Sequence, residues 1–238
     1  MLANNPKTSA RFGSLGKEVQ KPATFGYELL DFIGRQLCPW RDRSDRPKKT
    51  SETTLTSHLC AHLNSSARHS PGWDILQFRV EETDERNKGR KIDLIAAPCG
   101  ATICIEGRRH TDFESLMPIE CKRLPIPPRK DRDEREYVIS RYSSTGGIQR
   151  FKAGHHGASH KLGAMIAFVQ DQTTTVWRER IAEWITALAG TQPGWTLGDL
   201  LVLDHTDLSL RLATLRSVHE RASGHSPIEL RHFWIEMN

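Results

Sequence analysis

Lys91-Ile92-Asp93-Leu94-Ile95-Ala96-Ala97 and Leu116-Met117-Pro118-Ile119-Glu120-Cys121-Lys122 are two apolar runs with charges planted inside them. Read as neighbouring strands, each sends residues i and i+2 to one face, so Glu120 and Lys122 project together, roughly 6–7 Å apart along the backbone. Asp93 sits among Ile92, Leu94 and Ile95. Acidic residues are depleted from strands and costly to bury unpaired, so both carboxylates need a compensating partner. A divalent cation is one such partner: Mg²⁺ takes hard oxygens from one or two carboxylates and completes its shell with waters and a substrate phosphate. Lys122 would then add a positive charge beside the attacked phosphate. The other candidate partner is Lys122 itself, in a buried ion-pair cluster with Asp93 and Glu120.

Upstream, Asp74 to Glu82 alternates apolar and polar residues after Ile75 and reads as a half-exposed strand, joined to the Asp93 strand by a turn through Asn87-Lys88-Gly89. Ala101 to Ile105 reads as an added strand. Glu106-Gly107-Arg108 is a rival acid-x-base triplet, ranked lower because Gly107 weakens a strand. Leu29, Leu30, Phe32, Ile33 and Leu37 recur at helical spacing, which predicts a first helix over Phe25–Leu37 that ends at Cys38-Pro39-Trp40. Arg41 to Lys49 follows as a charged loop. A second helix begins near Ser51, with Ser or Thr as N-cap and Leu55, Leu59 and Leu63 in a stripe. His58 and His62 lie four apart on it, a spacing zinc can use; with no second ligand pair in sight they read as packing or surface histidines.

Downstream of Lys122, a densely charged loop carries Arg129, Lys130, Arg132 and Arg135 with acids interleaved. A short helix is expected from Gly147, its polar face holding Gln149, Arg150 and Lys152. His155, His156 and His160 cluster in a Gly-containing loop; without a Cys or carboxylate close in sequence, they read as loop residues before metal ligands or a general base. Leu162 to Val169 is the continuous apolar run of a central strand covered on both faces. Thr175 to Leu188 is an amphipathic helix with Val176, Trp177, Ile181, Trp184, Ile185 and Leu188 on one side. Trp195 to Leu203 adds a strand or short helix, and Leu208–Val218 with Ile228–Met237 reads as a terminal hairpin.

The whole chain has 238 residues, 37% hydrophobic and 26% charged, which suits one medium domain. Residues 1–24 are polar and aperiodic and read as a flexible arm, leaving 25–238 as the domain. No run has the length of a membrane span, and no apolar signal-peptide core begins the chain, which predicts a cytoplasmic protein. Cys38, Cys60, Cys99, Cys104 and Cys121 form no CxxC pair and are odd in number, so reduced thiols are expected. The net charge of +5 favours a polyanionic partner. No Ser/His/Asp pattern, Walker loop or Rossmann fingerprint is present.

Asp93 followed by Glu120-Cys121-Lys122 at the end of a later strand resembles the signature of the PD-(D/E)XK nuclease superfamily, with Ile92 standing where the signature's name carries Pro. The resemblance spans about residues 52–169. It implies a restriction-endonuclease-like α/β fold: an αβββαβ core with a mixed central sheet flanked by helices, plus an N-terminal helix and a C-terminal extension over about 170–238. It also implies a Mg²⁺-dependent endonuclease, with Mn²⁺ able to substitute, acting on DNA in restriction or anti-phage defence and aided by oligomerisation or a partner protein in choosing its target. Asp93, Glu120, the Cys121 carbonyl and Glu52 are then the metal-ligand candidates, Lys122 stabilises the attacking hydroxide and the phosphate, and Gln149 helps to orient the site. A nucleic-acid-binding subunit that keeps the fold but does not cut, and an RNA nuclease, are the alternatives.

Overall fold

The computed structural model describes residues 17–46, 48, 51–83, 91–128, 130, 132–142, 146–221 and 224–237. In chain order these form β1 (Lys17–Lys21), α1 (Phe25–Arg41), α2 (Glu52–Arg68), β2 (Leu76–Thr83), β3 (Lys91–Pro98), β4 (Ala101–Ile105), β5 (Arg108–His110) and β6 (Met117–Leu124). There follow α3 (Gly147–Lys152), β7 (Leu162–Val169), α4 (Thr174–Thr191), a single 3-10 turn at Leu197–Asp199, β8 (Val202–Asp207), β9 (Leu212–His219) and β10 (Ile228–Glu236). The protein is a mixed α/β structure.

A seven-stranded mixed sheet runs in the order β2-β3-β6-β7-β10-β9-β8, with β6, β7 and β10 parallel and the remaining neighbours antiparallel. Strand alternation divides the core in two. On β7, Ala164, Ile166 and Phe168 pack with the apolar stripes of α1 and α2, while Met165, Ala167 and Val169 pack with α3 and α4. Ser51 caps α2 through its hydroxyl, which accepts the Thr54 amide. All five cysteines are unpaired thiols, and no described helix is long and apolar enough to cross a membrane.

Four expectations change. Lys17–Lys21, within the expected arm, is a strand parallel to β4; with β5 it makes a separate three-stranded sheet, so β4 does not join the main one. Glu106 and Gly107 form the tight turn between β4 and β5 with φ of 49° and 80°, which removes them as a rival site. Helix α1 continues through Pro39 to Arg41. A proline in the last turn forgoes one intrahelical bond, and burial of Trp40 against Phe168, with Arg41 Nη1 donating to the Leu210 carbonyl at 2.6 Å, holds that turn on the core. The terminal hairpin forms as expected, β9 antiparallel to β10, but instead of an extension beyond the core it joins the main sheet, because β10 pairs along its length with β7. The expected turn through Asn87-Lys88-Gly89, Arg129 and residues 1–16 of the arm lie outside the described residues.

Helix α3 is too short to be stable alone and is anchored at its start. The amides of Gly147, Ile148 and Gln149 donate to the carbonyls of Glu136, Tyr137 and Val138. This close approach requires glycine: a Cβ on Gly146 would stand 2.3 Å from the Ile139 Cα. Gly146→Ala is expected to lower stability by about 1–3 kcal/mol in chemical denaturation. A change below about 0.5 kcal/mol would show that this anchor is not tight.

Candidate functional site

The site forms where two strands part. The β3–β6 ladder holds over Leu94–Ile119, Ile95–Pro118 and Ala96–Met117 and then stops. Beyond it, two β6 amides lack a strand partner on that side, and side-chain carboxylates take them: Asp93 Oδ2 accepts the Cys121 N–H at 2.9 Å, and Glu52 Oε2 accepts the Arg123 N–H at 2.8 Å. Glu52, the first residue of α2, thereby reaches the sheet. Strand β2 is distorted at the same level: its ladder to β3 is interrupted at Glu81, opposite Asp93, where Glu81 takes φ 53°. A non-glycine residue in the left-handed region stores about 1 kcal/mol or more, and such strain clusters at functional sites.

Lys122 lies at the centre. Its ammonium is 2.7 Å from Glu120 Oε1, 3.5 Å from Glu52 Oε1 and 3.6 Å from Asp93 Oδ2, and its side chain is 5% exposed. It also donates to the Cys121 carbonyl at 3.2 Å, so that expected ligand is already engaged. Glu120 is fully buried. Arg150 Nη1 reaches Glu120 Oε1 at 2.8 Å, and His156 Nδ1 lies 3.1 Å from Oε2, off the line of a well-formed hydrogen bond. Burial alone would raise the Glu120 pKa, but Lys122, His156 and Arg150 together outweigh it and hold the carboxyl well below its usual range. Burial likewise opposes the Lys122 charge; Glu120, Glu52 and Asp93 overcome it and push the ammonium pKa up.

Asp93 behaves differently. Burial first, then the charge of Glu120, push its carboxyl up to about 6 against the pull of Lys122. Its side chain keeps 27% of its surface, so solvent moderates that shift. Asp93 and Glu52 line a small opening of about 40 Å³, shared with Thr53, Ser57 and Glu81. Among the described residues, no three His, Cys, Asp or Glu side chains converge as a ready-made cage. The donor chemistry nevertheless fits Mg²⁺, which needs one or two carboxylates and fills the rest of its shell with water and phosphate. Three carboxylates face two permanent cations, Lys122 and Arg150, and the opening lies beside the carboxylate whose pKa is raised. Asp93 and Glu52 are the residues that would hold the ion; Glu120, with both oxygens facing Lys122, Arg150 and His156, would act from behind them.

Gln149 is not part of the site. Its Oε1 accepts the amides of Ser140 and Gly146, closing the loop before α3. The next residue, Arg150, is the one α3 sends to Glu120. Its carbonyl also accepts the amides of His155 and His156, which folds the chain back and seats His156 edge-on against Phe151. His156, one of the three clustered histidines, thus belongs to the site, whereas His160 Nε2 contacts the Ser115 carbonyl. The sequence places Arg150 on the polar face of α3 and His156 in a histidine cluster, but the spacing gives neither a partner, because Glu120 lies some 30 residues away. His62 Nε2 lies 3.4 Å from the Ser66 hydroxyl, one turn further along α2.

A Ser/His/Asp arrangement does exist in space. Asp199 accepts from Lys152 and from His219 Nδ1, and Ser217 Oγ lies 2.7 Å from both His219 Nε2 and His232 Nε2. His232 Nδ1 meets the Tyr137 hydroxyl, which also accepts the Trp234 indole N–H. Burial lowers both imidazole pKa values, so each ring is neutral, and donor counting then orients every bond toward Asp199. Ser217 donates to His219 as a triad serine would, but at 3% exposure its hydroxyl is shut away from any substrate, and the chain braces the core.

Comparison with family profiles, curated proteins and solved structures found no match to this chain.

Asp93 gives a pH signature. Its folded pKa lies above its unfolded value near 3.9, so its contribution to stability is fully present below the unfolded value and is lost as pH rises through about 6. Asp93→Asn keeps an oxygen for the Cys121 amide and removes this titration. Relative to wild type, it should gain about 1–2 kcal/mol in urea denaturation between pH 4 and pH 7 without metal. A difference independent of pH would contradict the placement.

Proposed function

We propose that the protein is a metal-dependent phosphodiesterase of the PD-(D/E)XK, restriction-endonuclease-like superfamily that cuts DNA. One observation carries this reading: Asp93, Glu120 and Lys122 meet with Glu52 where β3 and β6 part. The order α2-β2-β3-β6-α3-β7, with β2, β3 and β6 antiparallel in turn and β7 parallel to β6, supports the αβββαβ core. Asp93 and Glu52 would hold a Mg²⁺, whose chemistry there would be to acidify a water and offset phosphate charge. Lys122, anchored by Glu120, lies directly behind Asp93 and Glu52, where its charge would stabilise charge developing on a phosphate held at them. Arg150 and His156 keep Glu120 ionised and fixed, so that Lys122 has one position.

A cytoplasmic role in restriction or anti-phage defence, with a second copy or a partner protein choosing the target, accords with a single domain of net charge +5. The second reading is a subunit that binds nucleic acid without cutting it. It is favoured by one observation: the carboxylates already have protein cations as partners, Lys122 beside all three and Arg150 beside Glu120.

Supercoiled plasmid, linear duplex and an RNA transcript, each incubated with Mg²⁺ or Mn²⁺, separate these readings. Cutting of DNA is expected, lost with EDTA or Asp93→Asn and reduced about 100-fold or more by Lys122→Gln. Cutting that survives Asp93→Asn would sink the site assignment. A folded wild type that shifts DNA on a gel but cuts nothing would favour the binding subunit, and cutting confined to the transcript would move the substrate to RNA.

A further inference from the structure

Beyond Leu124, strand β6 runs out into Pro125, Ile126, Pro127 and Pro128, which line a cavity of about 630 Å³. Helix α4 contributes Trp177, Arg180 and Trp184 at helical spacing i, i+3 and i+7, and the loop after the prolines contributes Arg132, Arg135 and Arg141. Four arginines thus face two lining acids, Asp133 and Glu134. Asp133 is spent inward: it is 2% exposed and accepts the amides of Arg135 and Arg141 as well as the Arg135 guanidinium. Arg132 is paired with Glu136 and Arg135 with Asp133, while Arg141, 3.9 Å from Asp133, keeps 65% of its side chain exposed, so Arg141 and Arg180 are the cations left facing the groove. Arg180 lies over the Trp177 ring at 5.0 Å and forms no ion pair among the described residues. Trp177 is fixed by its indole N–H, which donates to the Asp171 carbonyl, and Trp184, half-buried, stands 6.2 Å from it.

This combination selects its ligand. Guanidinium groups recognise phosphate, an indole face stacks a base whatever its identity, and the volume suits one compact organic group. A closed duplex presents phosphates to such a surface but keeps its bases stacked inside, leaving Trp184 and the proline wall unused. We infer that the groove takes an unpaired nucleotide, its base against Trp184 and its phosphates on Arg141 and Arg180. The inference rests on the nuclease reading for its role. Lys122 precedes Pro125 by three residues, roughly 10 Å along the strand, or about three stacked nucleotide steps. The nucleotide held here would flank the phosphate at Lys122, so the site would prefer nucleic acid with a single-stranded segment.

The test is fluorescence anisotropy of the full chain in EDTA, where no strand is cut, with labelled oligo(dT) of about ten nucleotides and a blunt duplex of about 20 base pairs. Unlabelled dTMP serves as competitor. Trp184→Ala and Arg180→Glu should each weaken single-strand binding about ten-fold and duplex binding less than about two-fold, with Trp184→Phe restoring most of the loss. Arg180 is exposed, so its variant keeps the test decisive if Trp184→Ala fails to fold. dTMP should compete only at much higher concentration than unlabelled strand. Equal losses on both substrates, no loss on either, or dTMP competing as well as the strand would each overturn the inference. Cleavage is scored separately: single-strand binding through Trp184 without cutting removes the nuclease and leaves the groove, whereas cutting by a protein whose strand binding ignores Trp184 and Arg180 removes the groove alone.

Discussion

Lys122 is the charge on which the centre of this protein depends. Its ammonium is almost wholly removed from water and touches three carboxylates from three elements: Glu52 of α2, Asp93 of β3 and Glu120 of β6. Taking so many charges out of water costs several kcal/mol per ion and is offset only where each finds partners. Here the offset is nearly complete for Glu120, which adds Arg150 and His156, and incomplete for Asp93, whose carboxyl is pushed toward protonation. The imbalance falls on the carboxylate that lines the opening to solvent.

The sheet makes this arrangement possible by failing locally. Had β3 and β6 stayed paired, the Cys121 and Arg123 amides would have met backbone carbonyls, and Asp93 and Glu52 would have had no donors to hold them. The strained Glu81 and the glycine-dependent anchoring of α3 serve the same place from opposite sides: one bends β2 opposite Asp93, and the other fixes the short helix that delivers Arg150. The second polar chain, from Lys152 through Asp199 to Tyr137, has no such opening, and every member satisfies the next. Buried polarity with all partners supplied braces a core; buried polarity with one partner lacking marks a site.

Much of this was legible in the residues. Charges inside apolar runs are rare enough to be informative, so Asp93, Glu120 and Lys122 stood out, and the uninterrupted apolarity of Leu162–Val169 marked the strand now at the middle of the sheet. Ser51 announced the helix carrying Glu52. What stayed hidden was set by tertiary contact. Lys17–Lys21 has too little apolar content to look like a strand, and its pairing partner is some 80 residues away. Pro39 looked like a helix end because the burial of Trp40 has no local signature. Gln149 and Arg150 are adjacent, and only the packing of α3 decides which one faces Glu120.

Whether the carboxylates around Lys122 accept a divalent cation separates a metal site from an internal ion-pair brace. Anomalous diffraction from crystals soaked in Mn²⁺ tests this most directly. The account predicts a single strong peak in the opening between Asp93 and Glu52, absent from Asp93→Asn crystals. No peak at that place, with the Lys122 ion pairs intact in saturating Mn²⁺, would contradict it and leave the cluster as an internal ion-pair brace.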